Sequence, residues 1–182
     1  AIEKRLRKGA CGYNTVPDSF RESIIRWWQR RHQFEMEKEW ILYCTGVVPA
    51  ISSIVRKMTE IGDDIVVLAP VYNIFYNSIL NNGRKVLASE LRYADGSYTI
   101  DYADLEEKLS RETTSLFIFC NPHNPIGKVW DRPTLERIAE LCIKHDVLVV
   151  SDEIHCDLTH IGHAYIPLAS ISEEIADRTI TC

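Results

Sequence analysis

Apolar runs and amphipathic segments alternate along most of the chain. Three runs have the composition of buried strands, at residues 65–68, 115–120 and 147–150, and residues 85–88 indicate another strand. Apolar residues recur at helical spacing in the segment after Pro49 and in segments 73–80, 101–109 and 134–145. Because strand and helix alternate, the pattern predicts an α/β domain with a mostly parallel sheet and right-handed crossovers.

The ends of the chain carry further predicted elements. A helix is expected to open at residues 17–19, with Ser19 and Glu22 as a capping box. Short apolar runs predict a strand at residues 41–44 and another that starts at Thr179. The helix has an apolar side that we expect to face a core, formed by Phe20, Ile24, Trp27 and Trp28. Its basic cluster is interpreted as a solvated face and not as a nucleic-acid site: Arg26, Arg30 and Arg31.

Composition is that of a soluble globular protein. The 182 residues are 46% hydrophobic and 26% charged, with a formal net charge of -5. This balance gives no indication of nucleic-acid binding, and no apolar run is long enough to cross a bilayer. Six cysteines are scattered without a C-x-x-C pair, which favours free thiols in a reducing compartment. We therefore expect a cytoplasmic protein with neither nucleic-acid nor membrane partners.

Two glycine- or proline-containing turns follow predicted strands and hold residues suited to binding a ligand. Residues 45–49 form a glycine turn that enters a helix, where free backbone N–H groups can bind an anion, although a plain strand-to-helix turn has the same pattern. Tyr72 follows Ala69 and Pro70, where an aromatic ring could stack on a flat ligand or simply belong to the core or the rim.

Two more strand ends carry an amide and an acid. In residues 121–127, two X-Pro units stiffen the loop and hold Asn124 in place, although a merely rigid turn is an alternative. Asp152 comes soon after four apolar residues, so its carboxylate is partly desolvated and needs a partner. A cationic ring nitrogen, an arginine or a metal would each serve.

Other ligand signatures are weak or missing. The sequence contains no G-x-G-x-x-G, no G-K-[ST] and no G-x-S-x-G motif, which argues against nicotinamide, nucleoside triphosphate and serine-hydrolase chemistry. Asp157, His160 and His163 have a spacing that could suit a metal, but they lie in a glycine-containing loop. Solvated loop histidines are the simpler interpretation, and we predict no metal site.

Taken in order, these motifs resemble those of the fold-type I pyridoxal-5′-phosphate (PLP) enzymes of the class I/II aminotransferase-like family. They are most similar to the MalY/PatB-type cystathionine β-lyase, or C–S lyase, group. The resemblance implies a three-layer α/β/α fold with a mostly parallel mixed sheet. It is carried by G-Y-N-T-V-P-D-S-F at 12–20, T-G-V-V-P-A-I at 45–51, A-P-V-Y-N-I-F at 69–75, N-P-H-N-P-I-G-K-V-W at 121–130 and S-D-E-I-H-C-D-L at 151–158.

The resemblance also implies a role for each matching residue. Asp152 would pair with the pyridine nitrogen of PLP, Asn124 would hydrogen-bond the ring 3-oxygen, and Tyr72 would stack on the ring. His155 would support Asp152 and the 3-oxygen side. Tyr13 would reach the phosphate of the neighbouring subunit, which implies a homodimer. Backbone N–H groups for the phosphate would come from Gly46, Val47 and Val48.

The charge of Asp152 matters for the implied chemistry. PLP acts as an electron sink, and a protonated ring nitrogen strengthens it. A carboxylate about 4 Å away contributes roughly 4 kcal/mol at an effective dielectric constant near 20. This corresponds to roughly three pKa units, enough to keep the nitrogen protonated at neutral pH.

The family's Schiff-base lysine has no counterpart among residues 1–182. The resemblance places it in a serine-lysine motif a few residues past Cys182, so no catalytic residue is assigned in this chain. We expect residues 1–182 to be part of the large PLP-binding domain, with an N-terminal segment and a small C-terminal domain lying outside them. The chain alone is expected to bind PLP weakly and to be inactive.

The resemblance leaves three functions open for the parent protein. The leading hypothesis is a PLP-dependent C–S β-lyase that acts on cysteine-type amino acids such as cystathionine. A class I/II aminotransferase is the alternative, because both reactions begin by removing the same α-proton. A non-catalytic role in binding a regulatory protein is the third, and the intact set of Asp152, Asn124 and Tyr72 argues against it.

Overall fold

The computed structural model describes residues 2–9 and 15–182. It divides into two compact units, Ala1–Tyr43 and Cys44–Cys182. The described part of the first unit contains helices α1 (Ile2–Leu6) and α2 (Asp18–His32) and a 3-10 turn at Lys38–Trp40.

Three expectations for the first 44 residues are wrong. Helix α2 begins at Asp18 behind Pro17, and Ser19 lies inside its first turn, so the Ser19–Glu22 capping box does not form. The Ser19 carbonyl instead accepts a hydrogen bond from the Ser23 hydroxyl at 2.6 Å. Residues 41–44 form no strand, because a short apolar run specifies no partner for its backbone.

The apolar side of α2 does not form a core face either. No residue of the helix is buried, and Phe20 and Trp27 remain 41% and 40% exposed. Within this unit, the described elements are too few and too short to cover a helix face. The basic cluster is exposed as expected, and Arg30 lies over the Trp27 ring at 5.1 Å.

The second unit is built on a parallel sheet. Its five strands lie in the order β2-β1-β5-β6-β7, and every pairing in this sheet is parallel. The other two strands, β3 and β4, form a separate antiparallel hairpin around the predicted turn at Asp95 and Gly96. The strands are β1 (Asp64–Ala69), β2 (Lys85–Glu90), β3 (Arg92–Ala94), β4 (Ser97–Thr99), β5 (Thr114–Cys120), β6 (Leu148–Asp152) and β7 (Thr179–Thr181).

Helices cover both faces of this sheet. Alternate residues of one strand point to opposite faces, so Phe117 packs in one apolar cluster and Ile118 in the other. The first cluster includes residues of α5 and α6, and the second includes residues of α3 and α4. This confirms the three-layer α/β/α fold. The helices are α3 (Val47–Met58), α4 (Ile74–Leu80), α5 (Tyr102–Leu109), α6 (Arg132–Lys144) and α7 (Glu173–Ala176), with a 3-10 turn at Leu168–Ser170.

Side chains at the helix starts fix several boundaries. The Asp101 carboxylate accepts from the backbone N–H of Asp104, and Asp131 accepts from that of Thr134. These caps satisfy N–H groups that have no partner inside the helix. Among the described residues, no helix combines the length and apolar character needed to cross a bilayer.

Candidate functional site

A pocket of about 460 Å³ lies at the carboxyl edge of the sheet, next to the start of α3. Such edges are where open α/β sheets bind ligands. The pocket brings together seven of the eight predicted cofactor-binding residues, and the eighth, Tyr13, lies outside the described residues. Its lining consists of Gly46, Val47, Val48, Pro49, Tyr72, Phe75, Asn124, Asp152, Ile154 and His155.

Helix α3 presents its amino-terminal end to this pocket. Gly46 is the cap residue, and no side chain caps the helix. The Gly46 carbonyl accepts the first helical hydrogen bond from the N–H of Ala50 at 3.1 Å. Pro49 has no N–H, which leaves the groups of Val47 and Val48 as first-turn donors. With the partial positive charge of the helix end, they form a site suited to a phosphate.

The Asp152 carboxylate lies in the same pocket. It is the last residue of β6, where it pairs with Cys120, and only 4% of it is exposed. Burial raises the pKa of its carboxyl, while the Ile154 N–H, at 3.2 Å, and the charge of His155 act in the opposite direction. No arginine or lysine of the described chain contributes to this balance. The carboxylate is therefore suited to receive a cationic group of a ligand.

Tyr72 and Asn124 are held by two loops that are bound to each other. Tyr72 is 37% exposed, and the edge of its ring meets Phe75 at a centroid distance of 5.9 Å. The Asn124 loop is closed by the bond from the His123 N–H to the Lys128 carbonyl at 2.7 Å. The ring Nε2 of His123 donates to the Pro70 carbonyl at 3.0 Å, which ties this loop to the one before Tyr72.

Asn121 anchors the same loop from below. Its side chain is fully buried, accepts from the Trp130 N–H at 3.2 Å and donates to the Ile166 carbonyl at 3.3 Å. The sequence motif marked this loop as rigid, and these contacts supply the physical reason.

Sequence reasoning gave no role to two buried residues of the site region, His123 and Glu153. Both stand inside motifs that were noticed, directly beside Asn124 and Asp152. Only 1% of His123 and 2% of Glu153 is exposed, and the sequence does not show that these polar residues are buried. The sequence offered one signal for each: His123 is a polar residue next to Pro122, and Glu153 is a second acid next to Asp152 at the end of a strand.

The donor set fits PLP. One side of the pocket offers backbone N–H groups without a competing carboxylate cap, as a phosphate requires. Another side offers a buried carboxylate suited to a protonated ring nitrogen. The Tyr72 ring and the Asn124 amide stand on the same lining and supply a stacking surface and a polar contact.

Known proteins share the fold of this chain. The mostly parallel sheet with helices on both faces matches the fold of PLP-dependent transferases. Residues 6–182 match the family described as aminotransferase class I and II, and the chain belongs to this family.

Individual relatives are similar over nearly the whole chain. It is 46% identical over 182 residues to cystathionine beta-lyase PatB of Bacillus subtilis (strain 168), covering 100% of the chain and 47% of that protein. It is 32% identical over 173 residues to protein MalY of Escherichia coli (strain K12), covering 94% and 44%. The crystal structure of a PLP-bound putative aminotransferase from Clostridium difficile 630 superposes with a TM-score of 0.95 at 43% identity, covering 100% and 46%. The chain thus spans about half the length of these relatives.

Proposed function

We propose that the pocket binds PLP through the residues that line it. The observation that carries the proposal is one cavity in which a buried carboxylate, Asp152, and an uncapped helix end at Gly46 stand with Tyr72 and Asn124. The N–H groups of Val47 and Val48 bind the phosphate, and Tyr72 lies against the ring face. Asn124 binds the ring 3-oxygen, while His155 supports Asp152.

Bound PLP supplies an electron sink that stabilises negative charge on the α-carbon of an amino-acid substrate. Asp152 holds the proton on the ring nitrogen, because its buried carboxylate is a hydrogen-bond acceptor beside a cation. Tyr72 and the stiff Asn124 loop fix the tilt of the ring, and tight orientation of reacting groups lowers the barrier. We assign the removal of the α-proton to none of these residues.

We propose further that the full-length protein is a C–S β-lyase acting on cysteine-type amino acids. The similarity to PatB supports this choice, because it is named a cystathionine beta-lyase. The proposal includes a base, a lysine a few residues past Cys182, and residues 1–182 as part of a large domain. It also includes a cytoplasmic homodimer in which Tyr13 reaches the partner's site.

An aminotransferase is the second candidate, because the similar Clostridium difficile structure is described as a putative aminotransferase. The full-length protein loaded with PLP separates the two. Cystathionine is supplied without any 2-oxo acid, and pyruvate, thiol and ammonia are measured. Release of all three in equal amounts supports the lyase. Amino transfer that requires a 2-oxo acid, without thiol release, supports the aminotransferase and contradicts the lyase.

A matched pair of variants tests the role of Asp152 in the reaction. Asp152→Asn removes the charge that the proposal needs, whereas Asp177→Asn changes an exposed aspartate that does not line the pocket. Turnover should fall at least 100-fold in the first variant and stay within about twofold in the second, as expected for loss of roughly 3 kcal/mol or more of charge stabilisation. Equal turnover in the two variants would contradict the assigned role of Asp152.

A further inference from the structure

Glu153 is a buried acid beside the pocket, but it does not line the pocket. It directly follows Asp152, and only 2% of it is exposed. Its Oε1 atom accepts from the Ser151 hydroxyl at 2.7 Å and from the Leu168 N–H at 3.2 Å. Its Oε2 atom accepts from the Tyr165 hydroxyl. The carboxylate is therefore bound by three donors from two parts of the chain.

These contacts close the loop that carries part of the pocket lining. Residues 154–164 leave the sheet after Glu153 and return at Tyr165, which is 7% exposed. At the far end of the loop, Ile161 is fully exposed. Ile154 and His155, which line the pocket, follow directly after Glu153 at the base of this loop.

The backbone of Glu153 binds a third segment. Its N–H donates to the Cys182 carbonyl at 2.9 Å, and the Cys182 N–H donates to the Ser151 carbonyl at 2.9 Å. The end of β6, the returning loop and the residue after β7 therefore meet at one side chain and its peptide group.

Stability alone is a poor explanation for this arrangement. A carboxylate loses its hydration when it is buried, and well-packed apolar residues often stabilise a core as well or better. Burial and, to a smaller extent, the charge of Asp152 raise the pKa of Glu153 to about 7, against the effect of its hydrogen bonds. An apolar residue at position 153 could not accept three directed hydrogen bonds that fix the neighbouring segments.

We propose that Glu153 is a positioning residue, which fixes the direction of the Asp152 carboxylate and the place of Ile154 and His155 in the pocket. The inference rests on the proposed PLP site and adds to it. If Glu153 loses its acceptors, the hydrogen bonds from Ser151, Tyr165 and Leu168 are lost, and the returning loop is no longer fixed to the end of β6 through this side chain. The Asp152 carboxylate then no longer points directly at the ring nitrogen.

Three variants of the full-length protein test this role. Glu153→Leu removes both acceptor oxygens and leaves an apolar side chain of similar size. Glu153→Gln keeps an acceptor oxygen for Ser151 and Leu168. Tyr165→Phe removes one donor without changing residue 153. Glu174→Gln serves as the control, because Glu174 is exposed and lies on α7, away from the pocket lining. Three quantities are measured: the melting temperature of the apoprotein, the dissociation constant for PLP, and the pH at which the absorption of bound PLP changes.

For Glu153→Leu, we expect PLP affinity to fall about tenfold and the spectral transition to move about one unit to lower pH, the equivalent of one misdirected charge-assisted contact. Glu153→Gln should restore affinity to within about threefold of the wild type. Tyr165→Phe should shift both quantities in the same direction by a smaller amount, and Glu174→Gln should shift neither. The pH of the transition distinguishes positioning from a loss of stability, which would leave it unmoved.

A folded Glu153→Leu protein with wild-type affinity and spectral pH would overturn the proposal. If that variant does not fold, Tyr165→Phe decides, and wild-type values in it have the same consequence. Failure of the wild-type protein to bind PLP would overturn the PLP site and, with it, this role of Glu153. Normal binding by both the wild type and Glu153→Leu would overturn the positioning role alone.

Discussion

The Nε2 atom of His123 lies 3.0 Å from the carbonyl oxygen of Pro70, 53 residues earlier in the chain. Asn124 follows directly after His123, and Tyr72 stands two residues after Pro70, so this hydrogen bond sets the spacing of the two side chains. Burial lowers the pKa of His123, so the ring is neutral at pH 7 and donates through Nε2.

Replacing His123 should loosen the pocket without removing any group that lines it. In His123→Leu the Pro70 carbonyl loses this donor, and the loss of the hydrogen bond costs about 0.5–1.5 kcal/mol of folding free energy. PLP affinity should fall roughly threefold to tenfold, because two contact residues lose their fixed spacing. His123→Gln keeps a donor of similar reach and should retain more of both. Urea unfolding and PLP titration measure the two effects, and a Leu variant equal to the wild type in both would refute this account.

The start of α3 allows one donor to be removed with little change in shape. Val47 is the first helical residue, a position that favours proline, and Gly46 before it is extended, as a residue before proline must be. Val47→Pro should keep the melting temperature and weaken PLP binding roughly tenfold, the effect of one charge-assisted hydrogen bond. Val47→Ala keeps the N–H and is the matched control. Equal PLP affinity in the two variants would exclude a hydrogen bond from the Val47 N–H to the phosphate.

Two substitutions of Tyr72 distinguish the contribution of ring stacking to PLP binding from that of a hydrogen bond by the hydroxyl. An aromatic stack contributes about 1 kcal/mol, so Tyr72→Ala should weaken PLP binding roughly fivefold. Tyr72→Phe keeps the ring and should bind within about twofold of the wild type. Fluorescence titration with PLP gives both constants. A large loss in Tyr72→Phe would instead assign the contribution to the hydroxyl.

Much of the site follows from local sequence because a parallel sheet gathers the carboxyl ends of its strands at one edge. Asp152 after an apolar run and Asn124 between two prolines could be placed there without coordinates. The roles of His123 and Glu153 could not, since their partners Pro70 and Tyr165 are distant in sequence, and pairing across a fold is not encoded in a local pattern.

The wrong expectations have a similar cause. Residues 41–44 are apolar enough for a strand, but a strand needs a neighbour for its backbone, and none is specified by four residues. The apolar spacing on α2 correctly gave a helix, yet its burial depends on what packs against it. The helix was predictable and its surroundings were not.

Glu153 also makes stability depend on pH. Its pKa rises from the ordinary 4.5 to about 7 because burial disfavours the charged form. Its contribution to stability is therefore fully present below pH 4.5 and is lost as pH rises through 7. The free energy of unfolding should fall by about 3 kcal/mol more in the wild type than in Glu153→Gln over this range. Urea unfolding at several pH values tests this, and parallel curves would contradict it.

The central claim is that the Asp152 carboxylate faces a protonated ring nitrogen of PLP. It is tested most directly by nuclear magnetic resonance of the full-length protein loaded with PLP that is isotope-labelled at that nitrogen. The account predicts a protonated nitrogen at neutral pH in the wild type and an unprotonated one in Asp152→Asn. The same protonation state in both proteins would contradict it.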